Sequence, residues 1–241
     1  MFLLSLIFLG AQILMPLLLY CVTLPHTIAR PAEVGEVRSL EAEGLRCYFA
    51  DASGLGRQLA DPEGSKRAAV AFYGVNENLF RQVAIIPFRF PIVVDNQDAI
   101  VQELGRHARG FRRALERLAD DVQVELRVSA PPAIGAQPVS GSQYMQARSA
   151  REKLMAQSIE QLRSATAEVT NDWRERRQRD QVRCYALVAR KNYGRFVETA
   201  RAERLSGGIE CRLTGPWPAT EFLDLEMDSG QKHGLAPGAV V

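Results

Sequence analysis

The chain lacks most of the residue patterns that mark enzyme chemistry. Its three histidines, His26, His107 and His233, lie far apart, and its four cysteines, Cys21, Cys47, Cys184 and Cys211, form no Cys-x-x-Cys pair. This spacing excludes the common zinc-site patterns. No Gly-x-Gly-x-x-Gly, Walker A sequence or Gly-x-Ser-x-Gly elbow occurs, so the signatures of dinucleotide binding, phosphate cradling and hydrolase nucleophiles are missing. The expectation is a non-enzyme with no catalytic residue, no cofactor and no metal.

An excess of one charge is missing too. Thirty Lys and Arg against 28 Asp and Glu leave a net charge of +2, too small to argue for a nucleic-acid partner. Arginines cluster at 106–117 and 174–179. They alternate with acidic residues at helical neighbour spacing, which reads as solvated faces with intrahelical pairs. The interleaved aromatics of a single-strand binding groove are lacking. The four cysteines sit in apolar, strand-like runs and read as small buried hydrophobes in a reducing compartment.

What is present is a globular composition, 46% hydrophobic over 241 residues, enough for one large domain or two small ones. The first 25 residues carry no charged side chain. Three uses of this stretch compete. A membrane span fits its length but would contain Pro16. A signal peptide would lack its basic start and a clear cleavage site. The third use, which we expect, makes "LLLYCVT" (17–23) a buried first strand and residues 1–16 an apolar extension.

Downstream, "VRSLEAEGLRCYFADA" reads as two strands turning at Gly44. "KRAAVAFYGVNENLFRQVA" reads as a helix, and "IIPFRFPIVV" as a β segment broken by Pro87 and Pro91. "NQDAIVQELGRHARGFRRALERLAD" is a strong amphipathic helix through Ile100, Leu104, Phe111, Leu115 and Leu118. "VQVELRV" alternates as a strand, expected beside "LLLYCVT". The fold class expected is α+β, with a ferredoxin-like first domain at 17–130. A Pro/Gly/Ser linker at 131–142 follows. The second domain, 143–227, is read as one long helix from Gln143 to about Arg179, then strand, helix and strand, with a loose tail at 228–241.

Individual residues carry little chemistry. Asp120–Asp121 reads as a solvated helix terminus and His107 as a solvated helix-face residue. Phe88 and Phe90 share one face of an extended segment and Arg89 takes the other. Arg89 is either an outward arginine on an edge strand or a fork-like contact to a domain or partner surface. In "LTGPWPATEF", Pro216 and Pro218 stiffen the exit from the strand "IECRL" and Gly215 permits the bend. Trp217 then points either into the core or onto a partner, and the core-capping role is expected.

Four segments together carry a resemblance: "IPFRF" (86–90), "SGSQYMQAR" (140–148, with Tyr144), "VRCYALVARKNYGRFVE" (182–198) and "LTGPWPATEF" (213–222). In this order and spacing they resemble the gas vesicle protein F/L family over residues 17 to 225. Pro91, Met145 and Ala219–Glu221 depart from its pattern. The resemblance implies two α+β domains and a non-enzymatic role in forming gas vesicles, the gas-filled shells that give buoyancy. It implies an accessory or minor structural protein at the gas vesicle in the cytoplasm, contacting the shell protein and other accessory proteins. Rival readings are a membrane-anchored adaptor using residues 1–23 and a small-molecule enzyme on a ferredoxin-like scaffold.

Overall fold

The structure, a computed structural model, describes residues 15–27, 36–130, 140–178 and 181–224. The apolar segment 1–14, residues 131–139 of the expected linker and the tail from 225 onward lie outside the described residues.

The fold is α+β, built on two antiparallel sheets. The first contains β1 (Leu17–Thr23), β2 (Arg38–Ala42), β3 (Leu45–Asp51), β4 (Ile86–Pro87) and β5 (Val93–Val94). β1 is central, with β3 on one side and β4 and β5 on the other. All seven of its residues are buried, because helices cover both faces; this is why the strand is uninterruptedly apolar instead of alternating. β2 and β3 turn at Glu43 (φ 55°) and Gly44 (φ 71°), and two positive φ values in succession match the twist of a two-residue hairpin.

A short helix α1 (Leu55–Leu59) leads into α2 (Pro62–Gln82). α2 starts where Asp61 accepts the Gly64 amide at 2.7 Å, with Pro62 in the first turn; both are N-terminal signals. α3 (Gln97–Arg117) starts the same way, at Asn96 accepting from the Ala99 amide at 2.9 Å. α3 packs Ile100, Leu104 and Phe111 against Leu19, Phe49 and Phe88 on one face of the first sheet. α2 covers the opposite face, where Phe72 stacks on Tyr20 with ring centroids 5.2 Å apart.

The second sheet runs β7 (Asp172–Arg177), β8 (Gln181–Ala189), β6 (Asp121–Ser129), β9 (Glu210–Trp217). Its inner face, Val122, Val124, Leu126 and Val128 with the alternate residues of β8, packs under α4 (Gly141–Ala165) and α5 (Tyr193–Ala202). This core is continuous with the one beneath α2. The first ten residues of α4 are exposed, and its buried residues begin at Met155.

Four expectations require correction. β6 does not neighbour β1: it hydrogen-bonds along its length to β8 and to β9, so a boundary after residue 130 does not separate the two sheets. Alternation identifies a strand with one buried face but carries no information on which sheet supplies its partners. The long helix stops at Ala165, and the charged segment 172–177 is the edge strand β7; ladder bonds to β8 override a composition that reads as helical. Phe88 and Phe90 do not share a face. Phe88 is buried under α3, whereas Phe90 packs on Phe72 of α2 at 5.2 Å. The bonding to β1 breaks after the Phe88 amide, which donates to the Tyr20 carbonyl, and resumes at Ile92 and β5, so the period of two does not hold across Arg89 and Phe90. The fourth correction concerns Trp217 and belongs to the site below.

The C-terminal closure and a candidate interaction surface

β9 does not end at Gly215. It continues to Trp217 through a bulge, in which Gly215 and Pro216 lie between the pairs Thr214–Glu125 and Trp217–Gln123. Bulges tolerate the missing proline N–H. Gly215 is required here: its φ is +131°, and a Cβ would come within 3.0 Å of the Gln123 carbonyl oxygen. The Tyr193 hydroxyl donates to the Gly215 carbonyl at 2.7 Å, fixing the bulge to the start of α5.

Beyond Pro218 a 3-10 turn (Thr220–Phe222) folds back over the outer face of the second sheet. Phe222 is fully buried there among Leu118, Tyr185 and Leu187. The turn is held from three elements. Gln123 of β6, itself buried, accepts the Glu221 amide at 2.9 Å. Arg174 of β7 donates to the Glu221 carbonyl at 2.7 Å and lies 4.9 Å from the centre of the Phe222 ring. Arg117, the last residue of α3, donates to the Phe222 carbonyl. The motif therefore closes the fold by tying α3, which covers the first sheet, to the outer face of the second.

Trp217 is not the residue that enters the core. It is 46% exposed, and its indole N–H lies 3.3 Å from the Thr214 hydroxyl. Phe222, five residues on, fills the core position expected of it. The bulge shifts the register at this point, so Trp217 sits on the outside of a stiff corner with Pro216 exposed beside it. Tyr144 is exposed as well, on the exposed first turns of α4, and Arg89 is exposed between the buried Phe88 and half-buried Phe90. The predicted residues thus lie on three separate elements.

A second arginine contact was missed from sequence. Arg190, at the end of β8, donates to the Phe80 carbonyl at 3.2 Å and lies 4.6 Å from the Phe80 ring centre, while its amide bonds Asp120 at 2.7 Å. It couples the second sheet to the C-terminal turn of α2. Desolvation lowers its pKa from the usual arginine value, with Asp120 opposing. Its position in "LVARKN" was visible; its partner, 110 residues away, was not.

The described residues contain little that resembles reactive machinery. Burial pushes the thiols of Cys47 and Cys184 up to about 12 and that of Cys211 to about 11, which leaves them protonated and poorly nucleophilic near neutral pH. Asp121, raised by desolvation, is hydrogen-bonded to Asn171 at 2.9 Å. A cavity of about 200 Å³ beside β9 is lined by Leu162, Leu205, Ile209 and Leu213 together with Arg201 and Glu203. Among the described residues no group of three or more His, Cys, Asp or Glu is placed to hold a metal, and no helix is long and apolar enough to cross a membrane.

The sequence profile of the gas vesicle synthesis protein GvpL/GvpF family matches residues 16–180 and 140–224. No curated protein matches the chain. Among solved structures, the gas vesicle protein GvpF from Anabaena sp. PCC7120 superposes with a TM-score of 0.68 at 16% identity, covering 88% of this chain and 97% of that one. GvpF from Microcystis aeruginosa gives 0.62 at 12% identity, covering 88% and 100%. At these identities the superpositions speak for the fold.

Proposed function

The chain belongs to the GvpL/GvpF family of gas vesicle synthesis proteins, and from that premise we propose that it is a non-enzymatic accessory or minor structural protein that contacts the shell protein during gas vesicle assembly. Its place is then the gas vesicle and the cytoplasm around it. The observation that carries the contact is the exposure of Trp217 on a corner stiffened by two prolines, a bulge and the Tyr193 hydroxyl. A large aromatic side chain held in one direction loses little conformational freedom on binding, and tryptophan is enriched among interface anchors. Tyr144 and Arg89 offer further exposed contacts on the same reading.

The rival membrane reading of residues 1–23 conflicts with β1, since Leu17–Thr23 are buried and paired on both sides in the first sheet. Removing that strand would expose the ladder groups of β3 to solvent. The test of the assembly role is a pull-down of the purified shell protein by the full chain and by Trp217→Ala, together with vesicle formation in cells carrying each. We expect Trp217→Ala to fold normally and to lose shell-protein binding. A folded Trp217→Ala chain that binds and supports vesicles as before would remove the anchor role.

A further inference from the structure

β9 is an edge of the second sheet, with β6 on one side and, among the described residues, no ladder partner on the other. The opposite edge, β7, is guarded: five of its six residues are charged, which discourages pairing with another chain. β9 has no such guard. From Glu210 to Thr214 it runs in regular register, without a proline or a bulge, and a regular edge is a template for a further strand. Its two exposed charges are unmatched within the sheet. Glu210 lies opposite Ser129 of β6, and Arg212 lies opposite Arg127, a like charge. Arg127 is itself paired with Glu125 at 2.7 Å. Among the described residues no carboxylate pairs with Arg212 and no cation with Glu210. On the other face of the strand, Ile209, Cys211 and Leu213 line the cavity beside β9.

We propose that this edge pairs with the same edge of a second copy of the chain, antiparallel, about a two-fold axis at Cys211. In this register Glu210 meets the partner's Arg212 and Arg212 meets the partner's Glu210, so the two-fold supplies both missing ion pairs twice. On the cavity side Ile209 meets the partner's Leu213, and the two apolar rows become continuous. Such a contact is self-complementary, as a two-fold interface requires. Charge also selects the register. An axis one residue further on, at Arg212, sets two arginines against each other, and an axis at Glu210 sets two carboxylates together. Pairing stops at Thr214, because the bulge follows and Pro216 has no N–H to donate. The pairing joins two four-stranded sheets into one. Trp217 stays outside it, so the proposal does not rest on shell-protein contact.

The test is sedimentation of the full chain and of two charge variants, each alone and mixed in equal amounts. Glu210→Arg makes both exposed positions basic, and Arg212→Glu makes both acidic, so each variant sets like charges opposite in a pair of its own kind. In a mixed pair every charge again meets its opposite. The expected result is a concentration-dependent dimer of the unaltered chain, loss of the dimer in each variant alone, and its return on mixing. A monomer at every concentration, a dimer retained in either single variant, or a mixture that stays monomeric overturns the proposal. Hydrogen exchange of the unaltered chain is a second readout that needs no variant. The edge amides between 210 and 214 should gain protection as concentration rises. Protection that does not change with concentration, as when other residues of the same chain cover the edge, overturns the proposal as well.

Discussion

Phe222→Ala and Trp217→Ala, two truncations five residues apart in one motif, should have opposite consequences. Phe222 is fully buried and Trp217 is 46% exposed. Deleting a buried phenylalanine removes its transfer free energy and leaves a cavity, together about 3–5 kcal/mol. Phe222 closes one outer face near the end of the described chain, where neighbours can collapse inward, so the lower end of that range applies. Loss of the Arg174–ring contact adds about 0.5–1 kcal/mol. For a chain of this size about 3 kcal/mol corresponds to a fall of roughly 6–12 °C in Tm. The change should also loosen the Arg117 contact to the Phe222 carbonyl, so that amides of the 3-10 turn exchange faster than those of β6. Trp217→Ala should cost about 1 kcal/mol or less, as expected away from the core. Urea denaturation of both variants checks the pair, and hydrogen exchange locates the change. If Trp217→Ala destabilised the chain as much as Phe222→Ala, or if Phe222→Ala were neutral, the division between a closing residue and an exposed anchor would be wrong.

Arg190→Ala should destabilise the protein by about 1–3 kcal/mol through the unpaired Phe80 carbonyl and the lost ring contact. Arg190→Lys should recover little, since an ammonium cannot reproduce the planar stacking; chemical denaturation measures both. Stability should fall as pH rises above about 9, the ordinary cysteine value, because the unfolded thiols ionise there while Cys47 and Cys184 in the folded chain stay protonated to about 12. The unfolded state then binds fewer protons, so each such thiol contributes a loss of about 1.4 kcal/mol per pH unit, to be checked by urea midpoints between pH 8 and 11. A chain beginning at Met15 should fold with β1 in place, since the strand starts at Leu17; a normal melting profile supports this, and recovery only in inclusion bodies contradicts it.

Sequence alone determined the features that depend on near neighbours. The uncharged run at 17–23 favoured a buried first strand over its two rivals, and β1 is buried along its whole length. Asn96 before an amphipathic run marked the start of α3, and Gly44 allowed the β2–β3 turn, whereas α2 starts at Pro62, four residues before the Lys66 where its sequence pattern begins. The order and spacing of four motifs between residues 86 and 222 were enough for the family. Tertiary structure decided what those elements meet. Val122 to Val128 alternate identically whether they join β1 or β8, and only pairing partners more than 50 residues away choose between them. The charged segment 172–177 became a strand because β8 offered it an edge. The choice between Trp217 and Phe222 for the core turned on one bulge opposite Val124. A single extra residue in a strand reverses which side chains face inward, and strand-exit composition does not record where the partner strand accommodates it.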